Sequence, residues 1–384
     1  MATVLHLAVV VATLALCMPL AVNAVPAELC SITPLSFEPA KTKYPKLASA
    51  ITELEKYSIA AWYTDRQSLA DKETMLQKLV TECSEDQRMT IVVYGLPNKD
   101  CSGGHSTGGS VKTTADYEKF IADLVKAVGD RKVLYVIEPD AIGLLAEKDG
   151  CGKDAGYLEN IKIAIAALAV NKNAELYMDV GYWTVKSETQ LPVVVSAMKD
   201  LSASSKLRGI VLNTSNYRTT KEISELCSKF QKAMGNTEMN CIADTSRNYL
   251  EPVDDEWCNV LTNGVGAVPT SDTKFKNLDY LMWIKVQGES DGVCNGGPDA
   301  GLFYDKAFIK LWNQGYFVKE LKMKPIGDGD SDVSQTDYSD ADDPVQKTGL
   351  PEVGGESTVT SEETSEIAPP PVMNCKLKRR MRKL

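Results

Sequence analysis

The chain has 384 residues, 43% of them hydrophobic and 24% charged, with a formal net charge of −10. That balance suits a globular domain with a sizeable core and is unlike a disordered or membrane-embedded chain. The acidic excess is the reverse of the basic footprint that nucleic acids select, so no nucleic-acid partner is expected.

In chain order, residues 3 to 22 are almost wholly apolar and run into Val22-Asn23-Ala24, a small-residue cleavage pattern. This predicts a secretory signal over 1–24, a mature chain from near Val25, and a secreted, extracellular protein. No Lys or Arg precedes the apolar run, so a signal anchor is the alternative. No later apolar run reaches the ~20 residues that a spanning helix needs, so the mature chain is expected to have no integral membrane segment.

Six apolar runs follow, each ending in polar groups. Ile91-Val92-Val93-Tyr94 leads to Asp100, Val136-Ile137 to Glu138-Pro139-Asp140, and Leu176-Tyr177-Met178 to Asp179. Ile210-Val211-Leu212 leads to Asn213, Ile242-Ala243 to Asp244, and Met282-Trp283-Ile284-Lys285 to Glu289 and Asp291. Between them lie segments of helical period. Tyr117, Ile121, Leu124 and Val128 share a face, as do Leu158, Ile161, Ile165 and Leu168, with further candidates at 47–57, 193–200, 221–234 and 305–321. The alternation predicts parallel strands with helical crossovers. A distorted, incomplete α/β barrel of about seven strands is the first expectation, its strand ends converging on one rim. An open doubly wound sheet is the second, in a version without dinucleotide binding, because no GxGxxG follows a strand.

Composition changes near residue 325. Residues 327 to 366 are dense in Asp, Glu, Ser, Thr and Gly, too poor in large apolar groups to offset the entropy of ordering. The expected organisation is therefore a globular domain over 25–325 and a disordered acidic tail over 326–384. That tail passes through Pro369-Pro370-Pro371 and ends in a basic cluster, Lys376 to Lys383. The cluster could touch an anionic wall polymer, a membrane surface or the acidic tail itself, and a solvated terminus is the plain alternative.

Ten cysteines are present, with Cys17 in the expected signal and Cys375 in the tail. The other eight lack CxxC spacing, and disulfides fit them better than a metal. The expected pairs are Cys30 with Cys83, Cys101 with Cys151, Cys227 with Cys241 and Cys258 with Cys294, although spacing leaves connectivity open. Only His6 and His105 are histidines. HExxH and Cys2His2 zinc sites are excluded, and a Ser-His-Asp triad would need His105, which reads as an exposed histidine in the glycine-rich loop Ser102 to Gly109. That loop lacks GKS or GKT and so is not a phosphate cradle. Chemistry is left to carboxylates.

Eight motifs stand in a telling order. They are Trp62-Tyr63-Thr64-Asp65-Arg66, Tyr94-Gly95-Leu96-Pro97-Asn98-Lys99-Asp100-Cys101, Ile137-Glu138-Pro139-Asp140, Met178-Asp179-Val180-Gly181, Leu212-Asn213-Thr214-Ser215-Asn216-Tyr217, Asp244-Thr245-Ser246-Arg247, Trp257-Cys258-Asn259 and Trp283 through Gly292. Over roughly residues 45 to 320 the chain resembles the glycoside hydrolase family 6 cellulases. The resemblance implies a distorted α/β barrel that hydrolyses β-1,4-glucan with inversion, as a single chain, without metal or organic cofactor.

It also implies roles. Asp140 would be the general acid, with Asp100 beside it raising its pKa and stabilising positive charge on the sugar ring. Asp291 is expected near the other side of the cleft as base through water, although Lys285 could instead be a salt-bridge partner that keeps it ionised. Ser106 would help to hold the water, Asp179 would add negative potential, and Tyr94 would press on the distorted ring. Trp62 and Trp257 match stacking positions, with Trp183 as a further candidate. Asn213, Lys285 and Glu289 are expected around the sugar. Asn213 also opens the sequon Asn213-Thr214-Ser215, where glycosylation would be damaging. Tyr182 stands where the family usually has His. Only Gly292 and Val293 separate Asp291 from Cys294, where tunnel-forming members carry a long loop, which predicts an open groove and internal cleavage, with cellobiohydrolase action or non-catalytic glucan binding as alternatives.

Overall fold

The computed structural model describes residues 28–204 and 207–327. The signal segment, the acidic tail beyond 327 with its basic cluster, Cys17 and Cys375 lie outside the described residues.

Among the described residues there are eight strands: β1 (Leu29–Cys30), β2 (Ala61–Thr64), β3 (Arg88–Tyr94), β4 (Val133–Ile137), β5 (Ala174–Asp179), β6 (Gly209–Leu212), β7 (Asn240–Asp244) and β8 (Leu278–Met282). All ladders are parallel, and from β3 to β8 each strand pairs with the next in sequence. On the other side of β3, β1 pairs with its first residues and β2 with its last. The order never reverses, so the sheet curls as a barrel does. It does not close by a ladder: among the described residues, β2 and β8 meet through one bridge, Ile59 with Trp283, beside an Ala60 N–H to Trp283 carbonyl bond of 2.9 Å. The first fold expectation holds and the doubly wound alternative does not.

The helices are α1 (Phe37–Lys43), α2 (Ala48–Leu54), α3 (Leu69–Glu82), α4 (Thr114–Val128), α5 (Ala141–Ala146), α6 (Cys151–Asp154), α7 (Tyr157–Leu168), α8 (Tyr182–Lys186), α9 (Leu191–Ser204), α10 (Thr220–Met234), α11 (Asp305–Gln314) and α12 (Tyr316–Lys319). Strand side chains alternate between two layers. In β4, Val133, Tyr135 and Ile137 face the helices, while Leu134 and Val136 join Val92, Tyr177, Val211, Ile242 and Tyr280 inside the barrel. Both faces are buried, which is why these strands read as continuous apolar runs. A third core, built on Phe37, Ile51, Leu54, Trp283, Phe308, Trp312 and Phe317, lets α1, α2, α11 and α12 cover the gap between β2 and β8.

Two expectations about helices change. The segment 305–321 is two helices, because Gly315 is extended and any Cβ on it would meet the Leu311 carbonyl and the Val265 backbone at 2.5 and 2.6 Å. The segment 193–200 is the middle of the longer α9. The four expected disulfides are formed, Cys30–Cys83, Cys101–Cys151, Cys227–Cys241 and Cys258–Cys294.

Candidate active site

The C-terminal rim of the barrel departs from relaxed backbone geometry. Asp100, Glu138, Asp140, Asn213 and Ser215 all have positive φ, between 43° and 72°. Each such residue costs on the order of 1–3 kcal/mol and persists only where its surroundings hold it, which is typical of functional sites.

Glu138 shows what holds the turn after β4. Its buried carboxylate accepts the Gly95 N–H at 3.0 Å, the Leu96 N–H at 3.3 Å and the Tyr117 hydroxyl at 2.7 Å, tying the ends of β3 and β4 together. Burial pushes Glu138 up to about 7 against those hydrogen bonds. Two residues on, Asp140 precedes α5 in the left-handed region and faces the cleft, partly exposed. Burial is the main cause that pushes its carboxyl up to about 8, followed by the charges of Asp179, Asp100 and Asp291.

Asp179, at the end of β5, accepts the Asp140 N–H at 3.2 Å and the Thr214 hydroxyl. Burial raises it as well, but Thr214 and the N–H groups of Asp140 and Gly181 favour its anion. Burial pushes both members of this pair up, Asp179 to about 7 and Asp140 to about 8; the hydrogen bonds that Asp179 accepts favour its anion, and among the described residues no such bonds offset the rise at Asp140. Asp100 lies in the loop after β3 and accepts the Ser106 N–H at 2.6 Å through Oδ2. Tyr94 is buried beside these groups. Its hydroxyl is raised well above its ordinary range by burial and by the charges of Asp140, Asp100 and Glu138, with Ser106 as a hydrogen-bond partner.

The other bank is built differently. The Asp291 carboxylate receives Arg247 at 2.8 Å, Lys285 at 3.0 Å and the Asn259 N–H at 2.9 Å. Burial alone would raise it, yet Arg247 and Lys285 outweigh burial and pull it down to about 2. Both of its oxygens are occupied by cations, so it is a poor acceptor for a proton from water. The geometry thus favours the ion-paired role over the expected base. Lys285 also donates to the Ser290 carbonyl at 3.1 Å. Glu289 accepts the Ser36 hydroxyl at 2.7 Å, and burial raises its pKa against Lys285 and Ser36.

Trp62 is half-buried, its Nε1 donating to the Ile284 carbonyl at 2.8 Å and its ring edge-on to Tyr94. Trp257 is 48% exposed and can offer its face to a sugar. Trp183 packs against Gly143 and Gly181, where any Cβ would come within 2.6 to 2.7 Å of its ring, so it is a wall between α5 and α8 rather than an open platform. Asn213 corrects a second expectation. It is fully buried, with Nδ2 donating to the Arg218 and Asp244 carbonyls and Oδ1 accepting the Arg218 N–H. Its amide shapes the rim and does not face a sugar. The sequon nitrogen is equally out of reach. Tyr182 donates no catalytic group: its ring and hydroxyl lie against Arg218, which pairs with Asp255 at 2.5 Å.

Several site-building residues escape sequence reasoning. Asp65 is buried, ion-paired with Lys99, and accepts the Val111 N–H at 3.0 Å, while its carbonyl accepts the Ser110 N–H at 3.0 Å. It thereby holds both ends of the glycine-rich loop. Arg247 and Asn259 anchor Asp291, and Asp244 gathers the N–H groups of Ser215, Ser246, Ile284 and Lys285. Their motifs marked the positions, but nothing in spacing paired Asp65 with Lys99 or Arg247 with Asp291.

A profile of the glycosyl hydrolases family 6 matches residues 34–315. The chain belongs to this family. It is 31% identical over 221 residues to endoglucanase A of Cellulomonas fimi, covering 58% of this chain and 46% of that protein. It is 28% identical over 275 residues to the 1,4-β-D-glucan cellobiohydrolase C of Emericella nidulans, covering 60% of each. The chain spans about half the length of the bacterial curated relatives it matches, 46% and 48% for two of them. In fold, this glycosyl hydrolase superposes on the endoglucanase Cel6 of Mycobacterium tuberculosis with a TM-score of 0.65 at 24% identity, covering 75% of this chain and 97% of that one.

Proposed function

We propose that this family 6 hydrolase is a secreted, single-chain enzyme that cleaves internal β-1,4 bonds of cellulose or a related β-glucan with inversion. The observation that carries the reading is Asp140: a carboxyl on the rim pushed up to about 8 by burial and then by Asp179, Asp100 and Asp291, across from an Asp291 carboxylate that Arg247 and Lys285 hold low. Asp140 donates that proton to the glycosidic oxygen as the bond from the anomeric carbon to the leaving sugar breaks. A water on the opposite face forms the new bond to that carbon and releases its own proton. Asp291, held charged by Arg247 and Lys285, opposes the positive charge that develops on the ring. The water's proton leaves through solvent toward Asp100, which has no ion-pair partner among the described residues and is bounded by Ser106. Tyr94 and Trp62 line the floor for the ring, and Trp257 stacks on a neighbouring sugar.

Internal cleavage is supported by the short Gly292-Val293 link, which Cys258–Cys294 ties down beside Trp257. Names of both kinds, endoglucanase and cellobiohydrolase, occur among the relatives, so exo action is the second reading. Export is supported by the signal-like segment over 1–24 and by four disulfides in the described residues. The proposed layout keeps the hydrolase domain over 25–325 and the acidic tail after it.

The test is viscosity and reducing-end release on carboxymethylcellulose and mixed-linkage glucan, with Asp140→Ala beside the wild type. Rapid viscosity loss that disappears in the variant supports an endo-acting enzyme with Asp140 as acid. Slow viscosity loss with steady release of reducing ends supports exo action. If neither protein releases reducing ends while both bind glucan, the protein is a glucan binder.

A further inference from the structure

The glycine-rich loop between Cys101 and Ser110 reaches across the cleft by a single side chain. The imidazole of His105 meets the Trp257 ring edge-on, with centroids 5.9 Å apart at 64°. It also fills the space above Gly292, where any Cβ would stand 2.6 Å from His105 Nδ1. Trp257 and Gly292 both belong to the Asp291 bank: Asn259 donates its N–H to Asp291, and Cys258–Cys294 closes the segment. His105 belongs to the Asp100 bank, one residue before the Ser106 N–H that Asp100 accepts.

The loop is held at its two ends by Asp65, through Lys99 on one side and Ser110 and Val111 on the other. Its crest is rich in glycine, with Gly104 and Gly108 at φ of 74° and 90°, so the backbone there has more freedom to lose than any other chain. A crest of that kind takes its position from whatever side chain anchors it. Among the described residues, His105 is the ring that reaches the far bank.

We propose that His105 is a positioning residue: it clasps the glycine-rich loop to Trp257 and to the space above Gly292, and that contact sets Ser106 and Asp100 for turnover. The proposal rests on the hydrolase reading for the turnover it affects. The short Gly292-Val293 link leaves the far bank without a roof of its own, so the ring contact of His105 is what joins the loop to that bank. Gly292 has φ of 147°, which already favours glycine, and a larger residue there would also displace the imidazole.

The experiment compares full-length wild type, His105→Ala and His105→Phe. Turnover of a soluble cello-oligosaccharide gives kcat and KM separately, and timed limited proteolysis reports cleavage between Ser102 and Gly109 without substrate. Removing one aromatic edge contact is expected to lower kcat roughly two- to tenfold and to speed proteolysis by a similar factor, with KM little changed. His105→Phe, which keeps the edge contact, restores both in part. A thermal midpoint equal to wild type shows that the alanine variant is folded. Wild-type kcat with wild-type proteolysis overturns the clasp. A change confined to KM overturns it too, and makes His105 a sugar contact. A phenylalanine variant no better than alanine overturns the ring contact as the cause. Should the wild type hydrolyse no glucan, the hydrolase reading fails, and the proteolysis arm still decides whether His105 fastens the loop.

Discussion

Asp179→Asn removes an ionisable carboxyl from beside Asp140, the proposed acid, with little change in side-chain volume. Asp140 is pushed up to about 8 first by burial and then by its carboxylate neighbours, Asp179 being the largest of these. A like charge within the ~4–6 Å over which neighbouring charges shift a pKa, at an effective dielectric of about 20, repels by about 3 to 4 kcal/mol, or about two to three pKa units. The asparagine Oδ1 can still accept the Asp140 N–H that Asp179 accepts at 3.2 Å, and the Thr214 hydroxyl, which donates to Oδ2, can turn to accept from the new amide, which limits the change in packing. With less negative charge beside it, Asp140 ionises more easily and its pKa falls, by about one to two units once solvent relaxation is allowed for. A general acid works only while protonated, so kcat/KM falls as pH rises through the acid's pKa. The expected outcome is an alkaline limb of the kcat/KM profile displaced to lower pH by about one to two units, with activity retained at acidic pH. The assay is initial-rate reducing-end release from a soluble cello-oligosaccharide between pH 4 and 9. A limb that stays in place, or moves upward, would refute the claim that carboxylate crowding helps to keep the proton on Asp140.

Stability should carry the same signature: Asp140 is raised in the folded state above its unfolded value, so the folded protein binds more protons between about pH 4 and 8 and loses stability as pH rises through that window. The thermal midpoint is expected to decline over this range, and to decline less in Asp140→Asn. Arg247→Ala leaves Asp291 buried beside one cation fewer and should cost about 3 kcal/mol or more in urea unfolding, whereas an exposed pair such as Lys119 with Asp123 should cost under about 1 kcal/mol. Replacing Cys101 and Cys151 together by serine opens a loop of 50 residues, which on chain entropy alone amounts to about 4 kcal/mol, and it should lower kcat as well, because Cys101 adjoins Asp100.

Much of the barrel was legible because buried parallel strands leave long apolar runs. β3 through β7 announce themselves in that way, and the polar residues after them mark the rim, whereas the expected run Met282 to Lys285 begins only at the last residue of β8, whose own Leu278–Met282 is interrupted by Asp279. β2 leaves no such run either. Ala61–Thr64 is four residues with only alternate side chains buried, and it is recognisable through Trp62-Tyr63-Thr64-Asp65 rather than through hydrophobicity. α3 also escaped the search for periodicity, since its buried stripe is Lys72, Met75, Leu76 and Leu79 in an otherwise polar helix. In the site, residue types at strand ends were readable but partners were not. Lys285 is six residues from Asp291 and could be suspected as its partner. Arg247 is 44 residues away and becomes its neighbour only when β7 lies beside β8. Asn213 misled for the opposite reason: an asparagine after a strand suits a sugar as well as it suits a turn, and only burial shows which one it serves.

The two banks of the cleft explain how one rim can hold carboxyls shifted in opposite directions, Asp140 up and Asp291 down. Burial pushes both Asp140 and Asp291 up, so burial cannot separate them. Their company does. Around Asp140 the charged neighbours are Asp179, Asp100 and Asp291, whereas Asp291 has Arg247, Lys285 and the Asn259 N–H. The first arrangement favours the protonated carboxyl and the second the carboxylate, and in the hydrolysis proposed above a sugar between them would meet a donor on one side and a fixed anion on the other. Such a division works only if the loops carrying each set stay apart in charge and close in space. Glu138 and Asp65 meet that need on the acid's side by locking turns whose backbones are strained, and Asn259 meets it on the other. A substitution that moved one cation across the cleft, toward Asp140, would therefore harm the chemistry more than the loss of any single hydrogen bond, because it would take the proton from the acid as well as the partner from Asp291.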